Sequence, residues 1–390
     1  GVMLAILQHN LKKLLAYHSI ENIGIIGIGI GLGCIGLGTN NPILCSLGFA
    51  GALLHTLNHS LFKSLLFFTA GNVYQATHTL DIEKLGGLVK KMPHTSILFL
   101  IAALAICGLP PFNGFISEFI IYSGLFGAIH DAQMVSLFAI IFTITGLALI
   151  GGLALMCFTK AFGVVFLGSP RHTIHHEVKE VSSYQLLPLY VIAALITFIG
   201  LFPQIFLDLL FTPVQQFTNL HQLPFTSFQG KGIEVMLSIS KANWILLAVV
   251  ASLWGIRRLV LRKRTIILSP TWGCGYTAPT AKIQYTASSF VMTYTKLFGA
   301  LFLIHRKEKE VEGIFPAEAH LETHPYDIIE QGLIDYPIRK FKEFLSLFLF
   351  FQNGKLQFYI LYGILFIISV ILLPLIYDGV LLFIESFKQL

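Results

Sequence analysis

Three ionisable residues, His55, His59 and Lys63, are spaced four apart within the apolar stretch LLHTLNHSLFKSLLFF. On an α-helix a step of four residues advances about 400°, so the three side chains lie along one face. The surrounding Leu and Phe residues predict that this helix lies in lipid, where a central charge costs roughly 2.5–3.5 kcal/mol. Groups that are this costly and that titrate near neutral pH favour a proton or ion relay. The alternative is a polar seam that joins helices, although Ser, Thr or Asn usually forms such seams.

The composition also predicts a membrane protein, because hydrophobic residues make up 55% of the chain and charged residues only 12%. A soluble globular chain carries about 25% charged residues. The five cysteines have neither CxxC spacing nor a His–Cys spacing that fits a metal, so we predict small apolar fillers and no metal or cofactor site. The net charge of +6 sits in loops and indicates topology, not nucleic-acid binding.

Hydropathy predicts an all-α, polytopic fold of about seven to eight transmembrane helices. The seven full candidates cover residues 10–38, 43–76, 95–129, 134–165, 185–211, 242–261 and 357–377. The chain opens on GVMLAILQHN, with its first Met at position 3, which predicts a C-terminal fragment that enters one further apolar helix midway.

The third candidate span contains the sequence LPPFNG, in which Pro110 and Pro111 block the helix. We therefore expect two half-helices around an unwound centre, a feature that transporters use for ion sites. Glu118 follows seven residues after Pro111 among Phe and Ile residues, and a lone carboxylate there is a functional candidate.

Basic residues predict the orientation, because alternating helices would place nearly all of them on one face, which we assign to the cytoplasm. The opposite connections, Thr39–Pro42, Ala128–Met134 and Thr212–Lys241, are nearly empty of Lys and Arg. The C-terminal tail is then extracytoplasmic. The basic residues are Lys12, Lys13, Lys84, Lys90, Lys91, Arg171, Lys179, Arg257, Arg258, Arg262, Lys263 and Arg264.

Residues 267–356 have mixed polarity, including a Lys/Glu run from His305 to Glu312. The stretch Tyr326–Phe351 places its charges early and ends in a nearly continuous apolar run. This pattern predicts either an interfacial helix or a lateral helix, over about residues 327–353, that braces neighbouring subunits.

Three segments, LKKLLAYHSIENIGI, NHSLFKSLLFFTAGNVYQ and GLPPFNGFISEF, resemble successive signatures of the antiporter-like membrane subunits. These subunits occur in respiratory complex I, in Mrp-type sodium/proton antiporters and in group 4 membrane-bound hydrogenases. AYHSIENIGI, TWGCGYTAPTAKIQYTASSF and QNGKLQFYILYG resemble the hydrogenase-4 and formate hydrogenlyase branch more than complex I.

The resemblance implies that residues 1–168 form the second inverted five-helix repeat, which holds the ion pathway, and that the first repeat lies upstream. Additional transmembrane helices would occupy residues 169–266, a cytoplasmic or interfacial region residues 267–356, and the final helix and tail residues 357–390. The protein would be a multi-pass component of a bacterial or archaeal plasma membrane.

The resemblance also assigns roles to residues. Lys63 would store a proton, His55 and His59 would pass it laterally, and Glu118 would exchange it with an exit path. Lys12 matches a family lysine at the cytoplasmic helix start. Lys160 matches a charged position near the end of the repeat or simply snorkels to the interface. His18 and Glu21 could pair on a helix face as part of the pathway or as a structural pair.

Two function classes follow from the resemblance. The first is a non-catalytic, proton- or sodium-translocating subunit of a redox-driven complex, with other membrane subunits, peripheral nickel–iron or iron–sulfur subunits and lipids as partners. The second is a subunit of an Mrp-type antiporter, or of a related bicarbonate-uptake module, without a redox partner. The C-terminal signatures favour the first class. A structural scaffold would require the His/Lys/Glu line to be idle.

Overall fold

The structure is a computed structural model of the 390-residue chain. It describes residues 1–390 except 130–133, 173–176, 220–225, 263, 266–274, 276–277, 279, 281–282, 299–303, 310–319, 326, 328, 353 and 389–390. Cys274, Lys263, and parts of the Lys/Glu run, of the TWGCGYTAPTAKIQYTASSF motif and of the predicted connection Ala128–Met134 lie outside the described residues. The chain divides into two units, Gly1–Tyr326 and Asp327–Leu390.

The first unit consists mainly of helices. In chain order these are α1 Val2–Leu7, α2 Leu11–Gly38, α3 Pro42–Thr77, α4 Pro93–Ile106, α5 Asn113–Ala128, α6 Met134–Phe166, α7 Ser183–Leu201, α8 Pro203–Asn219, α9 Thr226–Leu261 and α10 Ala287–Phe298. A 3₁₀ turn forms at Leu88–Lys90, and β1 Ile304–Lys309 pairs antiparallel with β2 His320–Pro325, with Ile304 opposite Pro325.

The second unit begins with a π-helical turn at Glu330–Asp335, followed by α11 Tyr336–Ser346 and a 3₁₀ turn at Leu349–Phe351. It ends with α12 Leu356–Lys388. The predicted amphipathic segment is thus helical over Glu330–Ser346, and its lateral or interfacial position stays a prediction.

Five stretches of the described helices are long and apolar enough to cross a membrane: Leu11–Gly38, Ser136–Phe166, Ser183–Leu201, Gly232–Leu261 and Leu356–Leu382. The predicted all-α membrane class is confirmed, because helices dominate the described residues and the two paired strands are only six residues long each. Two more predicted spans differ in kind. α3 is 36 residues long but carries several polar side chains, and α4 and α5, of 14 and 16 residues, are the two halves of the broken span.

The predicted break is confirmed, because α4 ends at Ile106 and α5 begins at Asn113. The predicted continuous span over residues 185–211 is wrong, since α7 ends at Leu201 and α8 begins at Pro203. Pro203 lacks the N–H that would continue the helix.

The helix end at Leu201 is stabilised from α9. Its freed carbonyls accept hydrogen bonds, from Asn243 Nδ2 to Gly200 O at 2.8 Å and from Ser240 Oγ to Leu201 O at 2.6 Å.

The helix that contains the predicted span 242–261 is longer than that span, because α9 begins at Thr226. The polar segment TSFQGKGIEV lowers the hydropathy of its first turns but contains no proline to stop the helix. Most of the predicted connection Thr212–Lys241 is therefore helical.

α2 and α3 pack closely through small residues. A Cβ atom added to Gly29 would lie 3.0 Å from the Cβ of Ala52, and one added to Gly33 would lie 2.9 Å from the ring of Phe49. Such small residues let two membrane helices approach closely and bring their polar side chains into contact. Both helices begin at asparagine caps: the side chain of Asn10 accepts from the Lys13 N–H and that of Asn41 from the Leu44 N–H, each at 3.1 Å.

α10 returns to the first helices although it follows α9 in sequence. Glu83, in the connection between α3 and α4, accepts hydrogen bonds at the start of α10 from Ala287 N at 3.2 Å, Ser288 N at 2.7 Å and Ser288 Oγ at 2.5 Å. Its carboxylate also lies 3.4 Å from His9 Nδ1. Burial alone would raise the pKa of Glu83, but the hydrogen bonds from His9 and Ser288 outweigh it and lower the pKa to about 2.

We expect this contact to make stability depend on pH. Because the pKa of Glu83 falls from an ordinary value of about 4.5 to about 2 on folding, its contribution is complete above about pH 4.5 and is lost as pH falls toward 2. Thermal unfolding of wild-type and Glu83→Gln protein should therefore differ most near neutral pH and converge in acid. The control is Glu177→Gln, which changes an exposed carboxylate. If the stability difference between wild type and Glu83→Gln did not shrink in acid, the lowered pKa of Glu83 would be contradicted.

Candidate functional site

His55 is the centre of a buried hydrogen-bond network that joins three helices. Its Nε2 lies 3.1 Å from Asn22 Oδ1 of α2, and its Nδ1 lies 2.9 Å from Ser117 Oγ of α5. Asn58 of α3 donates to Ser117 Oγ at 3.0 Å and to the Asn113 carbonyl at 2.8 Å. Asn113 Nδ2 donates back to Asn58 Oδ1 at 3.1 Å. The five side chains are fully buried, so the network fixes the second half of the broken helix against α2 and α3.

The geometry lets His55 take up a proton without losing a hydrogen bond. Asn22 Nδ2 donates to the His18 carbonyl at 2.8 Å, so Asn22 Oδ1 faces His55 and accepts from Nε2. In the neutral ring, Ser117 donates to Nδ1. In the protonated ring, Nδ1 donates to Ser117 Oγ, and the serine hydrogen turns to the Gly114 carbonyl 3.1 Å away. One hydroxyl rotation therefore accommodates both charge states.

His18 and Glu21 form the pair that their spacing predicts. His18 Nδ1 contacts Glu21 Oε2, and both side chains are almost fully buried. The imidazole lies against the ring of Phe158 of α6, with centroids 4.6 Å apart. Since Asn22 follows Glu21 and holds the His18 carbonyl, this pair adjoins the His55 network directly.

The two buried lysines donate to backbone carbonyls. Lys63 Nζ contacts the carbonyl of Leu15, about one turn before His18 on α2, and lies 5.4 Å from the ring centroid of Phe67. Lys160 Nζ of α6 lies 2.5 Å from Ile6 O and 2.9 Å from Gln8 O, where α1 ends. A cation at a helix C-terminus is stabilised by the free carbonyls and the helix dipole.

His59 and Glu118 are partly buried. His59 Nε2 has no hydrogen-bond partner in the described part of the chain, and its ring centroid lies 5.6 Å from that of Phe62. Glu118 lies beside Gly108, whose φ is +64°, in the break between α4 and α5. The positive φ favours glycine at this position, and a Cβ atom there would lie 2.6 Å from a Glu118 carboxylate oxygen.

Lys12 does not join these groups. Its side chain is exposed in the first turn of α2, whereas the other predicted site residues are buried or partly buried. An ammonium group there remains solvated because it lies at the helix end. This position fits the expected helix start, and a role for Lys12 in the ion pathway stays a prediction.

Sequence reasoning did not single out Asn22, Asn58, Asn113 and Ser117. A usable signal was present, because amides and hydroxyls inside apolar helices need partners, and each of these residues is close in sequence to a predicted site residue or to the proline pair. In the described residues no three His, Cys, Asp or Glu side chains are grouped as metal ligands.

The comparisons with known proteins bear on this site. Residues 1–145 match the family model described as NADH:quinone oxidoreductase/Mrp antiporter, TM. The chain is 32% identical to Hydrogenase-4 component B of Escherichia coli (strain K12) over 377 residues, which cover 93% of this chain and 55% of that protein. This chain belongs to the antiporter-like membrane subunits.

A second relative of this antiporter-like subunit is Formate hydrogenlyase subunit 3 of E. coli (strain K12), at 48% identity over 171 residues, which cover 44% of this chain and 28% of that protein. The fold is similar to a chain of the membrane-bound sulfane sulfur reductase, an archaeal respiratory membrane complex, with a TM-score of 0.55 and 19% identity. That match covers 96% of this chain and 54% of the other. The chain spans about half the length of Hydrogenase-4 component B, and these relatives are subunits of multisubunit membrane complexes.

Ser117→Ala tests the hydroxyl rotation. Without Ser117 Oγ, His55 Nδ1 loses the hydroxyl that donates to the neutral ring and accepts from the protonated ring. We expect slower ion flux with an altered pH profile, and an effect that is not additive with His55→Gln because both changes disable one unit. The assay is flux in proteoliposomes that contain the full-length protein in its complex.

Ser123→Ala is the matched control, since Ser123 lies on the same helix and donates only to the carbonyl of Phe119, at 2.7 Å. A unit shared by Ser117 and His55 would be contradicted if their two substitutions had additive effects on flux. It would also be contradicted if Ser123→Ala lowered the flux as much as Ser117→Ala.

Proposed function

We propose that this antiporter-like subunit translocates protons, or sodium ions, within a redox-driven membrane complex of the hydrogenase type. The proposal rests on one observation above all: buried or partly buried ionisable groups lie on each of the four helices α6, α2, α3 and α5. These helices contribute Lys160, the His18–Glu21 pair, Lys63 with the histidines, and Glu118.

The order of transfer that we propose begins at Lys63, which exchanges a proton with the His18–Glu21 side of α2. His59 and His55 then carry it toward α5, where Ser117 is adjacent in sequence to Glu118. Buried charge is stabilised only where partners compensate it, so each transfer is favoured when a neighbouring charge changes. Glu118, at the helix break, exchanges the proton with an exit path.

Several features of the whole assembly belong to the same proposal. Basic loops face the cytoplasm, residues 1–168 form the ion-conducting repeat, and peripheral subunits with nickel–iron or iron–sulfur centres supply the electrons. The support is the similarity to Hydrogenase-4 component B over 93% of the chain, well beyond residues 1–145.

An Mrp-type antiporter subunit is the second candidate, because the matching family model covers both classes. Purification of the native complex in mild detergent distinguishes them. Co-purification of hydrogenase-like and iron–sulfur subunits supports the first candidate, whereas a complex of small antiporter subunits alone supports the second.

Lys63→Met is the direct test of the proposed pathway. Methionine keeps an apolar stem of similar length but removes the ammonium group that contacts the Leu15 carbonyl. We expect ion flux by the reconstituted complex to fall at least about 100-fold, the lower end of what a lost proton-transfer group costs, while the subunits still assemble. The exposed Lys84→Met is the control, and unchanged flux in Lys63→Met would remove Lys63 from the pathway.

Glu118→Gln and Glu118→Lys form a matched pair. Glutamine keeps the shape beside Gly108 but cannot release a proton, so we expect flux to be blocked. Lysine restores a titratable group at the same position. The family resemblance implies that some related subunits carry lysine there, so we expect partial activity. Proton and sodium flux measured at matched incorporation decides the outcome. Full flux in the glutamine variant excludes Glu118 from the pathway, and an inactive lysine variant contradicts the role carried over from the family to this position.

A further inference from the structure

The end of α9 carries a dense group of exposed cations. Arg257, Arg258, Arg262 and Arg264 fall within eight residues, and together with Trp254 they line a groove of about 970 Å³. The guanidinium of Arg258 lies over the Trp254 ring, 5.2 Å from its centroid. The proposed ion pathway does not use these residues.

No carboxylate in the described residues forms an ion pair with any of these four arginines. Like charges four apart on a helix destabilise it, and Arg258 and Arg262 have this spacing. Cations at a helix C-terminus favour the helix dipole and help to fix topology. Neither role uses the groove, and an anion bound there would compensate the four charges.

An apolar surface continues from the groove along the same helix. Ile245, Val249, Leu253 and Ile256 are exposed and spaced three or four apart, so they form a stripe that leads toward the arginines. The stretch Gly232–Leu261 is long and apolar enough to span a bilayer. A stretch of this length and hydropathy places these residues at the depth of the hydrocarbon region, with the arginines at its edge.

We propose that this groove is a binding site for an anionic phospholipid. The arginine guanidinium groups bind the headgroup phosphate, which they match as fork-shaped donors, and the acyl chains lie along the apolar stripe. A phospholipid meets both requirements, because it joins a phosphate to long apolar chains. This site is independent of the ion pathway.

The test is binding of phosphatidylglycerol, phosphatidylcholine and inorganic phosphate to delipidated full-length protein in its complex. We expect selective binding of phosphatidylglycerol by wild type. Each basic residue near a membrane surface contributes about fivefold in affinity, so Arg257→Gln/Arg258→Gln/Arg262→Gln should weaken that binding roughly 100-fold. Lys90→Gln/Lys91→Gln, which removes two exposed cations from another loop, should leave it unchanged.

Equal binding of the two phospholipids, or equal loss in the Lys90/Lys91 control, overturns the proposal in favour of general surface electrostatics or topology. If inorganic phosphate displaces phosphatidylglycerol at an equal concentration, the acyl chains contribute nothing to the affinity. That result overturns the phospholipid as the ligand. Loss of a neighbouring subunit from the triple variant, without any change in lipid binding, assigns the groove to an acidic partner segment instead.

Discussion

Backbone groups that a helix break releases inside an apolar protein must find a partner, and the described helices meet this constraint with side chains from other helices. Lys160 of α6 binds the carbonyls where α1 ends. Asn243 and Ser240 of α9 bind those where α7 ends. Asn58 of α3 adds a bond of another kind, to the carbonyl of Asn113 in the first turn of α5. These bonds connect helices that are distant in sequence and so determine which faces meet in the core.

The same requirement places charged groups where a change of charge alters helix contacts. Lys63 and Lys160 both donate to main-chain carbonyls, and an ammonium group makes a stronger hydrogen bond than a neutral amine. Loss of a proton would weaken the hold of α3 on α2, or of α6 on α1. In the proposed relay this arrangement would couple proton position to helix packing without any moving domain, because the ammonium group that binds the backbone carbonyl is also the group that would lose the proton.

The sequence predicts the features that depend on local chemistry. The proline pair marks the break between α4 and α5, the step of four places His55, His59 and Lys63 on one helix face, and the step of three pairs His18 with Glu21. It does not predict features that depend on distant contacts. The break before Pro203 is hidden in a continuous apolar run, and its carbonyls are paired by residues about forty positions later. The return of α10 to Glu83 likewise joins segments about two hundred residues apart.

The site also differs in kind from a simple line of charges. Sequence reasoning gives weight to ionisable residues because they are costly in lipid, and this directs attention away from amides and hydroxyls. Yet His55 depends on Asn22 to fix the hydrogen on Nε2 and on Ser117 to exchange donor and acceptor roles at Nδ1. A neutral amide and a rotating hydroxyl therefore offer the imidazole hydrogen-bond partners in both charge states. In the proposed relay the ionisable groups would provide the proton sites, and their neutral partners would make two protonation states compatible with one packed structure.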